Sequence, residues 1–256
     1  MLGTLIKGIR VLELFSVGHP RWRVTEISRE LGLNKTAVFR VVETLESEGY
    51  LYQDPRDKSY MLTPKLLGLS TVVLSQFNIV EQSKNAIDVL WRATQGTVVV
   101  RLFEGKRLLT VAVRESPHVL RVAHNVGTAY DFNYGAIGKA ILAYLPASEL
   151  QATLKKNLPK SFTAKTVVAV PALLEELKRI RRNGYAFSDE EAIEGVRAVG
   201  APIFDVTERP IAGISVGFPS VRFPRTKVAE YGKRVRQAAE SISANLGYQR
   251  RMTVGK

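Results

Sequence analysis

The sequence predicts an α+β protein in two parts, a small front segment of helices ending in a hairpin and a larger sheet domain covered by helices. Two observations predict this fold class. Up to residue 63, apolar residues recur at helical spacing in three runs and then give way to two short strand-like runs. From residue 97 onwards, strand-like runs, hairpin turns and amphipathic helices alternate irregularly, which is the pattern of an α+β sheet domain.

Composition sets the broad class of the protein. A chain of 256 residues can form one large domain or two modest ones, and its 45% apolar and 24% charged residues are ordinary for a soluble globular protein. No apolar run approaches the roughly 20 residues that span a bilayer, and the periodic N-terminus is not a secretory signal. With no cysteine, disulfides, thiolate metal sites and a cysteine nucleophile are excluded. We expect a cytoplasmic protein with no membrane partner.

The net charge of +13 suggests a polyanionic partner, but its distribution weakens that inference. Residues 1–65 contain 10 Lys and Arg against 8 Asp and Glu, whereas residues 66–256 contain 27 against 16. Most of the excess positive charge therefore lies outside the front segment. The net charge of the chain is therefore only weak support for nucleic-acid binding.

The front segment contains three predicted helices. The first is IKGIRVLELF, with an apolar stripe from Ile6 to Phe15. The second begins after an N-cap at Thr25 and ends at Gly32, which suits a tight turn into the next helix. Asn34 is a good N-cap for the third. The expected buried positions of the third helix are Val38, Val41, Val42 and Leu45.

The opposite face of the third helix and the hairpin after it suit double-stranded DNA. Two strands joined by a turn at Pro55–Lys58 follow the helix and form a wing. Two helices joined by a glycine-containing turn fit a B-form major groove, and the wing can reach neighbouring phosphates. The predicted DNA contacts are Lys35, Thr36, Phe39 and Arg40 on the helix and Arg56 and Lys58 on the wing.

The alternative is a three-helix bundle whose hairpin contacts another protein. The near-neutral charge of the segment favours that alternative slightly. Phe39 favours DNA, because a large aromatic side chain on the solvent face of a helix is unfavourable unless something covers it. Thymine methyl groups or sugars could do so.

A helical linker is predicted over residues 64–96, between the front segment (1–63) and the sheet domain (97–250). Its many apolar residues, from Leu66 to Ile79, exceed what a helix exposed on one side would carry. We predict dimerisation through this linker, while residues 80–95 could equally form a helix buried within their own chain. Residues 251–256 are a predicted tail.

The sheet domain begins with a strand, a turn at Glu104–Lys106 and a second strand, and LRVAHNVGTAYDF is predicted as another strand. GAIGKAILAYLP is a compact helix with an uncrowded first turn. A later helix begins at Pro171 and ends at Gly184. A strand pair joined by the turn Thr207–Pro210 and a long closing helix complete the domain.

Several blocks, in the same order, resemble the IclR family of bacterial transcriptional regulators over about residues 4–248. The blocks are LGLNKTAVFRVVETLESEGYLYQDPRDKSYMLT in the front part and GAIGKAILAYLP, LKRIRRNGYAFSDEEAIEGVRAVGAPIFD and IAGISVGFP in the back part. The resemblance implies an N-terminal winged helix-turn-helix, a linker helix and a C-terminal GAF-like effector-binding domain. It also implies dimers or tetramers and small organic effectors, typically acids or aromatic catabolites. Ser188 and Ala198 depart from the residues usual in the family, so the ligand cannot be copied across.

If the effector is an anion, free N–H groups at the start of the GAIGKAILA helix could bind it. The candidate positions there are Gly135, Ala136 and Ile137, and the resemblance points to the same place. The glycines could instead serve only close packing of the helix on the sheet. Tyr130, Phe132 and Tyr134 point the same way if extended, as one wall of an aromatic pocket or as core.

The run SDEEAIEG is typical of a solvated loop or a helix N-terminus. The resemblance places it beside the effector pocket, which makes Glu190 and Glu191 further candidates. Ser215 could bind a ligand oxygen or be a core serine. His118 and His124 are six residues apart without cysteine, which argues against a metal site, and we expect no cofactor.

The sequence contains no phosphate loop, no GxSxG elbow and no nucleophile–His–acid arrangement, so an enzyme is not expected. The interpretation is a ligand-responsive regulator that binds operator DNA as a homodimer or tetramer and is modulated by a small organic carboxylate or aromatic effector. The alternative is a sensor or enzyme whose front module binds protein.

Overall fold

The computed structural model of the chain describes residues 3–16, 18–69, 79–156 and 159–248. The chain divides into two compact units, residues 1–77 and 78–256. The predicted linker falls partly on residues 70–78, and the predicted tail falls wholly on residues 251–256. Those residues lie outside the described part of the chain. Residues 65–69 are helical.

The first unit is a three-helix cluster followed by a hairpin. Its elements are α1 (Gly3–Glu13), α2 (Val24–Leu31), α3 (Lys35–Ser47), β1 (Leu51–Gln53) and β2 (Tyr60–Leu62). The two strands pair antiparallel with Leu51 opposite Leu62. One apolar core holds the unit together, formed by Val11, Trp22, Ile27, Val38, Val41, Val42, Leu51 and Tyr60.

The helix-turn-helix forms where the sequence predicts it. Gly32 adopts φ 63°, in the left-handed region that favours glycine, and ends α2. The Asn34 side chain accepts a hydrogen bond from the Ala37 N–H at 2.7 Å, which caps α3. The predicted cap at Thr25 is wrong, because α2 begins at Val24, with Arg23 in the N-cap position. The Glu26 carboxylate accepts the Arg23 N–H at 2.8 Å, which fixes this earlier start.

The second unit is built on a six-stranded antiparallel sheet in the order β5-β4-β3-β8-β7-β6. Its strands are β3 (Thr97–Phe103), β4 (Arg107–Arg114), β5 (Ala129–Asp131), β6 (Ala186–Asp189), β7 (Val196–Phe204) and β8 (Pro210–Pro219). Its helices are α4 (Ile79–Thr94), α5 (Gly135–Leu142), α6 (Ala147–Lys156), α7 (Val170–Asn183) and α8 (Val228–Asn245).

Residues of β3 alternate between the two faces of this sheet, as strand geometry requires. Val98 and Val100 pack into the core beneath α4 and α8. The odd-numbered residues point to the other face, which α5 covers, and α7 packs behind α5. The second core forms there, around residues of α5 such as Ile141. The sheet therefore has two different sides, and only the α5 side carries the cavity described below.

Two predictions for this unit are wrong. Residues 120–128 are not a strand, and only Ala129–Asp131 pairs with β4. A turn at Gly127, with φ 85°, separates that short strand from the irregular segment before it. The acidic run is neither a loop throughout nor a helix start, because Ser188 and Asp189 belong to β6 and Ser188 pairs with Ala198.

Candidate functional sites

The first candidate site is the solvent face of α3. The apolar positions Val38, Val41 and Val42 face the core, and this fixes which residues face outwards. The outward residues are Lys35, Thr36, Phe39 and Arg40, all exposed. Phe39 is 51% exposed, an unusual position for a phenyl ring in a helix interior. In the described part of the chain, no acidic side chain forms an ion pair with Lys35 or Arg40.

The hairpin is held rigidly at its base while its basic side chains stay exposed. Arg21 donates to the Asp54 carboxylate at 2.9 Å, and the same carboxylate accepts the Arg56 N–H at 3.0 Å. These hydrogen bonds lower the pKa of Asp54. Lys58 adopts φ 59° at the end of the turn. The side chains of Arg56 and Lys58 are exposed, and no ion pair ties either of them to a described residue.

The second candidate site is a cavity between the sheet and the start of α5. The strands contribute residues that lie on one face of the sheet: Thr97, Val99 and Arg101 from β3, Ser215 and Gly217 from β8, Val196 and Ala198 from β7, and Ser188 from β6. Tyr134, Gly135 and Ala136 close it from the α5 side, and Val122, His124, Ala192 and Ile193 complete the lining. Its volume is about 40 Å³, room for about three water molecules.

Small residues create this space. Across the sheet, Ala198 pairs with Gly217, and Gly217 pairs with Thr97. A Cβ added at Gly217 would meet nothing nearer than 3.9 Å, so the sheet surface is open at that point. Further along, a Cβ at Gly200 would lie 3.1 Å from Ala136, so α5 rests directly on the sheet there.

Arg101 is the one basic side chain among the residues that line the cavity. It is only 4% exposed. Its Nε donates to Thr110 Oγ1 at 3.2 Å, its Nη2 lies 3.4 Å from His124 Nδ1, and its guanidinium covers the Tyr130 ring at 4.5 Å from the centroid. No carboxylate of the described residues pairs with it. Burial lowers the pKa of Arg101, but an arginine stays charged in a protein.

His124 is neutral beside this charge. Burial, reinforced by the Arg101 charge, lowers the pKa of His124 to about 4. Arginine can only donate, so His124 Nδ1 must be the acceptor of their contact, and its proton resides on Nε2. Burial also raises the pKa of Tyr134 to about 12, which keeps its hydroxyl neutral. Arg101 is therefore the only charged group at the cavity among the described residues.

Polar groups without partners surround this charge. Ser188 and Ser215 are 2% and 6% exposed, and neither hydroxyl hydrogen-bonds to a described residue. The first intrahelical bond of α5 runs from the Gly138 N–H to the Tyr134 carbonyl. The N–H groups of Gly135 and Ala136 precede it and have no acceptor in the described part of the chain.

The cavity includes some of the predicted effector residues and not others. Tyr134, Gly135, Ala136 and Ser215 line it. Tyr130 lies behind the lining, stacked on Tyr134 with ring centroids 4.2 Å apart. The predicted common direction of the three aromatic side chains does not hold, since residues 132–133 form a turn and not an extended strand.

Four other predicted effector residues do not line the cavity. Phe132 is buried in the second core, and Ile137 packs against Gly213. Glu190 pairs with Lys165 at 3.1 Å. Glu191 pairs with Lys139 at 2.6 Å, away from the cavity lining. Both acids are therefore bound by lysines of the chain itself.

Arg101, His124 and Thr97 line the cavity without having been predicted. The sequence does indicate a special role for Arg101, because burying a charged residue within the apolar strand TVVVRLF is costly unless the charge has a partner. The sheet face on which Arg101 lies cannot be predicted without the strand order. His124 lies on an irregular segment beside the cavity. The sequence of that segment has no helical or strand periodicity from which the position of His124 could be predicted.

Lys139 forms a buried ionic cluster behind the cavity. Its Nζ donates to Glu176 at 2.6 Å, to Glu191 at 2.6 Å and to the Phe187 carbonyl at 2.8 Å. The Lys139 side chain is 3% exposed. Burial raises the pKa of Glu191, against the opposing effect of Lys139. The cluster fixes the segment after β6, which supplies Ala192 to the cavity.

The described residues contain neither a membrane-spanning helix nor a cluster of metal-ligating side chains. No helix in the described part of the chain is long and apolar enough to span a bilayer. Nor do three or more His, Asp or Glu side chains of these residues converge as metal ligands would.

A helix-turn-helix with an exposed α3 face, together with a sheet domain that contains a polar cavity, defines a ligand-responsive DNA-binding regulator. Family models agree: residues 4–55 match the IclR helix-turn-helix domain and residues 71–244 match the bacterial transcriptional regulator IclR C-terminal domain. The chain belongs to the IclR family of transcriptional regulators, which confirms the resemblance and the predicted fold class.

Individual relatives extend this comparison. The chain is 30% identical over 225 residues to the HTH-type transcriptional regulator KdgR of Escherichia coli (strain K12), covering 88% of this chain and 86% of KdgR. The crystal structure of the Thermotoga maritima IclR has a TM-score of 0.77 and 30% identity, covering 97% of this chain and 100% of that one.

A further solved structure is an IclR homologue from Microbacterium hydrocarbonoxydans complexed with 4-hydroxybenzoate. It has a TM-score of 0.82 at 20% identity, covering 95% of this chain and 99% of that one, and this level of identity supports the fold alone. The protein is thus a transcriptional regulator with an N-terminal DNA-binding domain and a C-terminal ligand-binding domain.

Proposed function

We propose that this regulator reads an operator in double-stranded DNA through the exposed face of α3, with the hairpin on the flanking phosphates. The observation that carries the proposal is the α3 face itself. Phe39 and Arg40 are exposed there, opposite the side that packs into the core, and Arg40 forms no ion pair with a described residue. A helix of this kind fits a major groove, and its polar side chains can bind base edges. Lys35 and Thr36 occupy its first turn, the part of a recognition helix that lies nearest the bases.

The wing would supply sequence-independent affinity. Arg56 and Lys58 are exposed on the turn between β1 and β2, where they can neutralise phosphates next to the groove. The ion pair between Arg21 and Asp54 stabilises the base of the hairpin, so the two basic side chains start from a fixed backbone.

A homodimer or a tetramer would set two such helices on half-sites about one or more helical turns apart, roughly 34 Å per turn. The predicted linker, residues 64–96, is our candidate for the dimer contact. A small organic metabolite in the cavity would bind one arrangement of the assembly more tightly than another and so change operator affinity. We place this activity in the cytoplasm.

Arg40→Ala tests the proposal, with an expected loss of more than about tenfold in operator affinity, because a good base contact contributes roughly 1–3 kcal/mol. Fluorescence anisotropy against the upstream intergenic DNA, with excess nonspecific competitor, measures it. Arg179→Ala on α7 is the matched control, since Arg179 is exposed and the charge change is identical. Equal affinity of the two variants would contradict the assignment of α3, and a protein that does not bind promoter DNA even at low salt would favour the protein-binding alternative.

A further inference from the structure

We propose that the second unit contains a further ligand site, a cleft at the open edge of β7 that binds an aromatic monocarboxylate. The cleft lies between the end of β7 and the helices α7 and α8, and Ala201, Pro202 and Phe204 line it. Val196 and Ala198, at the start of the same strand, line the cavity beside α5. Among the described residues, the cleft and the cavity share no lining residue. The proposal therefore goes beyond the effector cavity and the operator, and it depends on neither.

The cleft exists because β6 is shorter than its neighbour. β6 begins at Ala186, which pairs with Gly200 of β7, so the end of β7 has no further strand of the described sheet beside it. Pro202 suits this open edge, since proline has no N–H that would need a strand partner. The Phe204 N–H donates instead to Ser243 Oγ of α8 at 2.9 Å. The resulting space has a volume of about 310 Å³, at the lower end of the range of cavities that bind small organic molecules.

Three aromatic rings form one wall of the cleft. Tyr144, Phe204 and Tyr248 are half-buried and line it. Phe204 stacks on Tyr248 with ring centroids 5.0 Å apart, and the Tyr144 ring meets Phe204 edge to face at 5.2 Å. A further planar ring can pack against these rings in the same stacked or edge-to-face arrangements. The wall therefore favours an aromatic ligand over an aliphatic one.

The cleft is also lined by three arginines, Arg181 and Arg182 from the last turn of α7 and Arg236 from α8. Arg181 Nε donates to the Ala143 carbonyl at 2.6 Å, which fixes the position of this side chain. Arg182 is exposed and forms no ion pair or hydrogen bond with a described residue. Arg236 Nε lies 3.5 Å from the Glu240 carboxylate, but this buried atom has no hydrogen-bond partner among the described residues. The guanidinium groups of Arg182 and Arg236 therefore retain donors for a ligand.

The charges of the lining residues set the charge of the ligand. The three arginines exceed the two acids of the cleft, Glu208 and Glu240, by one positive charge. One carboxylate balances that excess, whereas a phosphate monoester carries about 1.5 to 2 negative charges at neutral pH. A carboxylate also matches the planar fork of a guanidinium, which can donate to both of its oxygens. The volume, the aromatic wall and the single excess charge together indicate a bicyclic aromatic monocarboxylate.

Isothermal titration calorimetry of the purified full chain, without DNA, tests the proposal. The probes are 2-naphthoate, its uncharged amide and 2-naphthyl phosphate. We expect 2-naphthoate to bind at least about fivefold more tightly than the amide, because the amide lacks the charge-assisted contact with arginine. We also expect 2-naphthoate to bind more tightly than the phosphate, which brings more negative charge than the cleft balances.

Three variants locate the bound acid in the cleft. Arg182→Gln, Arg236→Lys and Tyr248→Ala should each weaken the binding of 2-naphthoate about threefold or more. Arg236→Lys keeps the charge and the long side chain but lacks the planar fork, so a loss of affinity reports the fork itself. Arg182→Gln should leave the melting temperature of the ligand-free protein unchanged, because Arg182 is exposed and without an ion pair to a described residue.

Two controls separate the cleft from the rest of the unit. Arg179→Gln is matched to Arg182→Gln, since Arg179 is exposed on the same helix and does not line the cleft. Gly217→Ala narrows the cavity beside α5, where the added Cβ meets nothing nearer than 3.9 Å. Both variants should bind 2-naphthoate with the affinity of the wild type.

The proposal is overturned if 2-naphthoate does not bind more tightly than about 1 mM, if its amide binds equally well, or if the three cleft variants bind it like the wild type. Loss of binding in Gly217→Ala would also overturn it, since the acid would then occupy the cavity beside α5. Tighter binding of 2-naphthyl phosphate would overturn the assignment of a single charge. Since no DNA is present, each of these results is independent of whether α3 reads an operator.

Discussion

The two units treat basic side chains in opposite ways. In the first unit, Arg40, Arg56 and Lys58 are exposed on a packed scaffold. Water solvates these side chains in the free protein, and a bound polyanion would replace that water. In the second unit, Lys139 and Arg101 are buried, so solvent does not stabilise their charges. Lys139 pairs with two carboxylates of its own chain, whereas Arg101 pairs with no carboxylate among the residues that the structure describes. An exposed charge is solvated by water and needs no partner from its own chain. A buried charge is not solvated, so its contacts show whether the chain itself supplies the partner.

Lys139→Met should have the largest effect on stability, since it leaves Glu176 and Glu191 close together without their cation. We expect a loss of about 3–5 kcal/mol in the free energy of unfolding at neutral pH. Without Lys139 to oppose the effect of burial, the pKa of Glu191 would be raised further in the folded variant. Folding then favours the protonated form of Glu191, so the loss of stability should shrink as the pH falls towards the unfolded-state pKa and grow as the pH rises.

Denaturant unfolding of both proteins from neutral pH to about pH 5 measures this difference. Lys178→Met is the matched control, because Lys178 pairs with Glu175 at 2.7 Å and both side chains are 70% exposed. That control should change stability by less than about 0.5 kcal/mol. Equal losses for the two variants would show that burial does not distinguish these ion pairs.

Gly138→Ala should have an intermediate effect, a loss of about 1–3 kcal/mol. A Cβ at this position in α5 would lie 2.4 Å from the Phe132 carbonyl oxygen, a backbone atom that cannot move aside easily. Gly8→Ala is the control in the first unit, since nothing lies within 4 Å of its added Cβ in α1. We expect that change to stabilise α1 by about 0.5–1 kcal/mol.

Amide hydrogen exchange resolved by peptide reports the two units separately and so assigns each change to its helix. Faster exchange in α5 and β7 for Gly138→Ala, with slower exchange in α1 for Gly8→Ala, is the expected pair of results. Unchanged exchange around α5 would contradict the close packing of that helix on the sheet.

Asn34→Ala should have the smallest effect, a loss of about 1 kcal/mol, because it removes the 2.7 Å hydrogen bond that caps α3. The rate of amide hydrogen exchange should increase at the start of α3, while the exchange rates in α5 should stay unchanged. Asn183→Ala, at the exposed end of α7, should alter the free energy of unfolding by less than about 0.5 kcal/mol. A neutral Asn34→Ala would mean that packing of Val38 and Val41 alone fixes the start of α3.

Much of the first unit could be predicted because its signals are local. The α3 cap at Asn34, the turn at Gly32 and the exposed position of Phe39 each follow from neighbours within a few residues. The N-cap of α2 has no such signal, because the backbone N–H of Arg23 donates to Glu26 and no polar side chain of the usual kind caps the helix.

The cavity could be predicted only in part, because its residues come from distant strands. A glycine-rich helix start predicts Gly135 and Ala136, and the strand GISVG predicts Ser215. Arg101 and Gly135 line the same cavity only because of the strand order β3-β8-β7-β6, which no local pattern contains. Glu191 was a candidate from its sequence position, but the partner that takes it away from the cavity, Lys139, lies 52 residues earlier.

The most direct test of the account measures operator affinity by anisotropy over a range of salt concentrations. It compares the wild-type chain with Arg40→Ala on α3 and Lys58→Ala on the wing. We predict that Arg40→Ala reduces the discrimination between operator and competitor DNA, whereas Lys58→Ala weakens binding to both and lowers the salt slope by about one. Equal losses of discrimination in the two variants would contradict the claim that α3 reads bases while the wing binds phosphates.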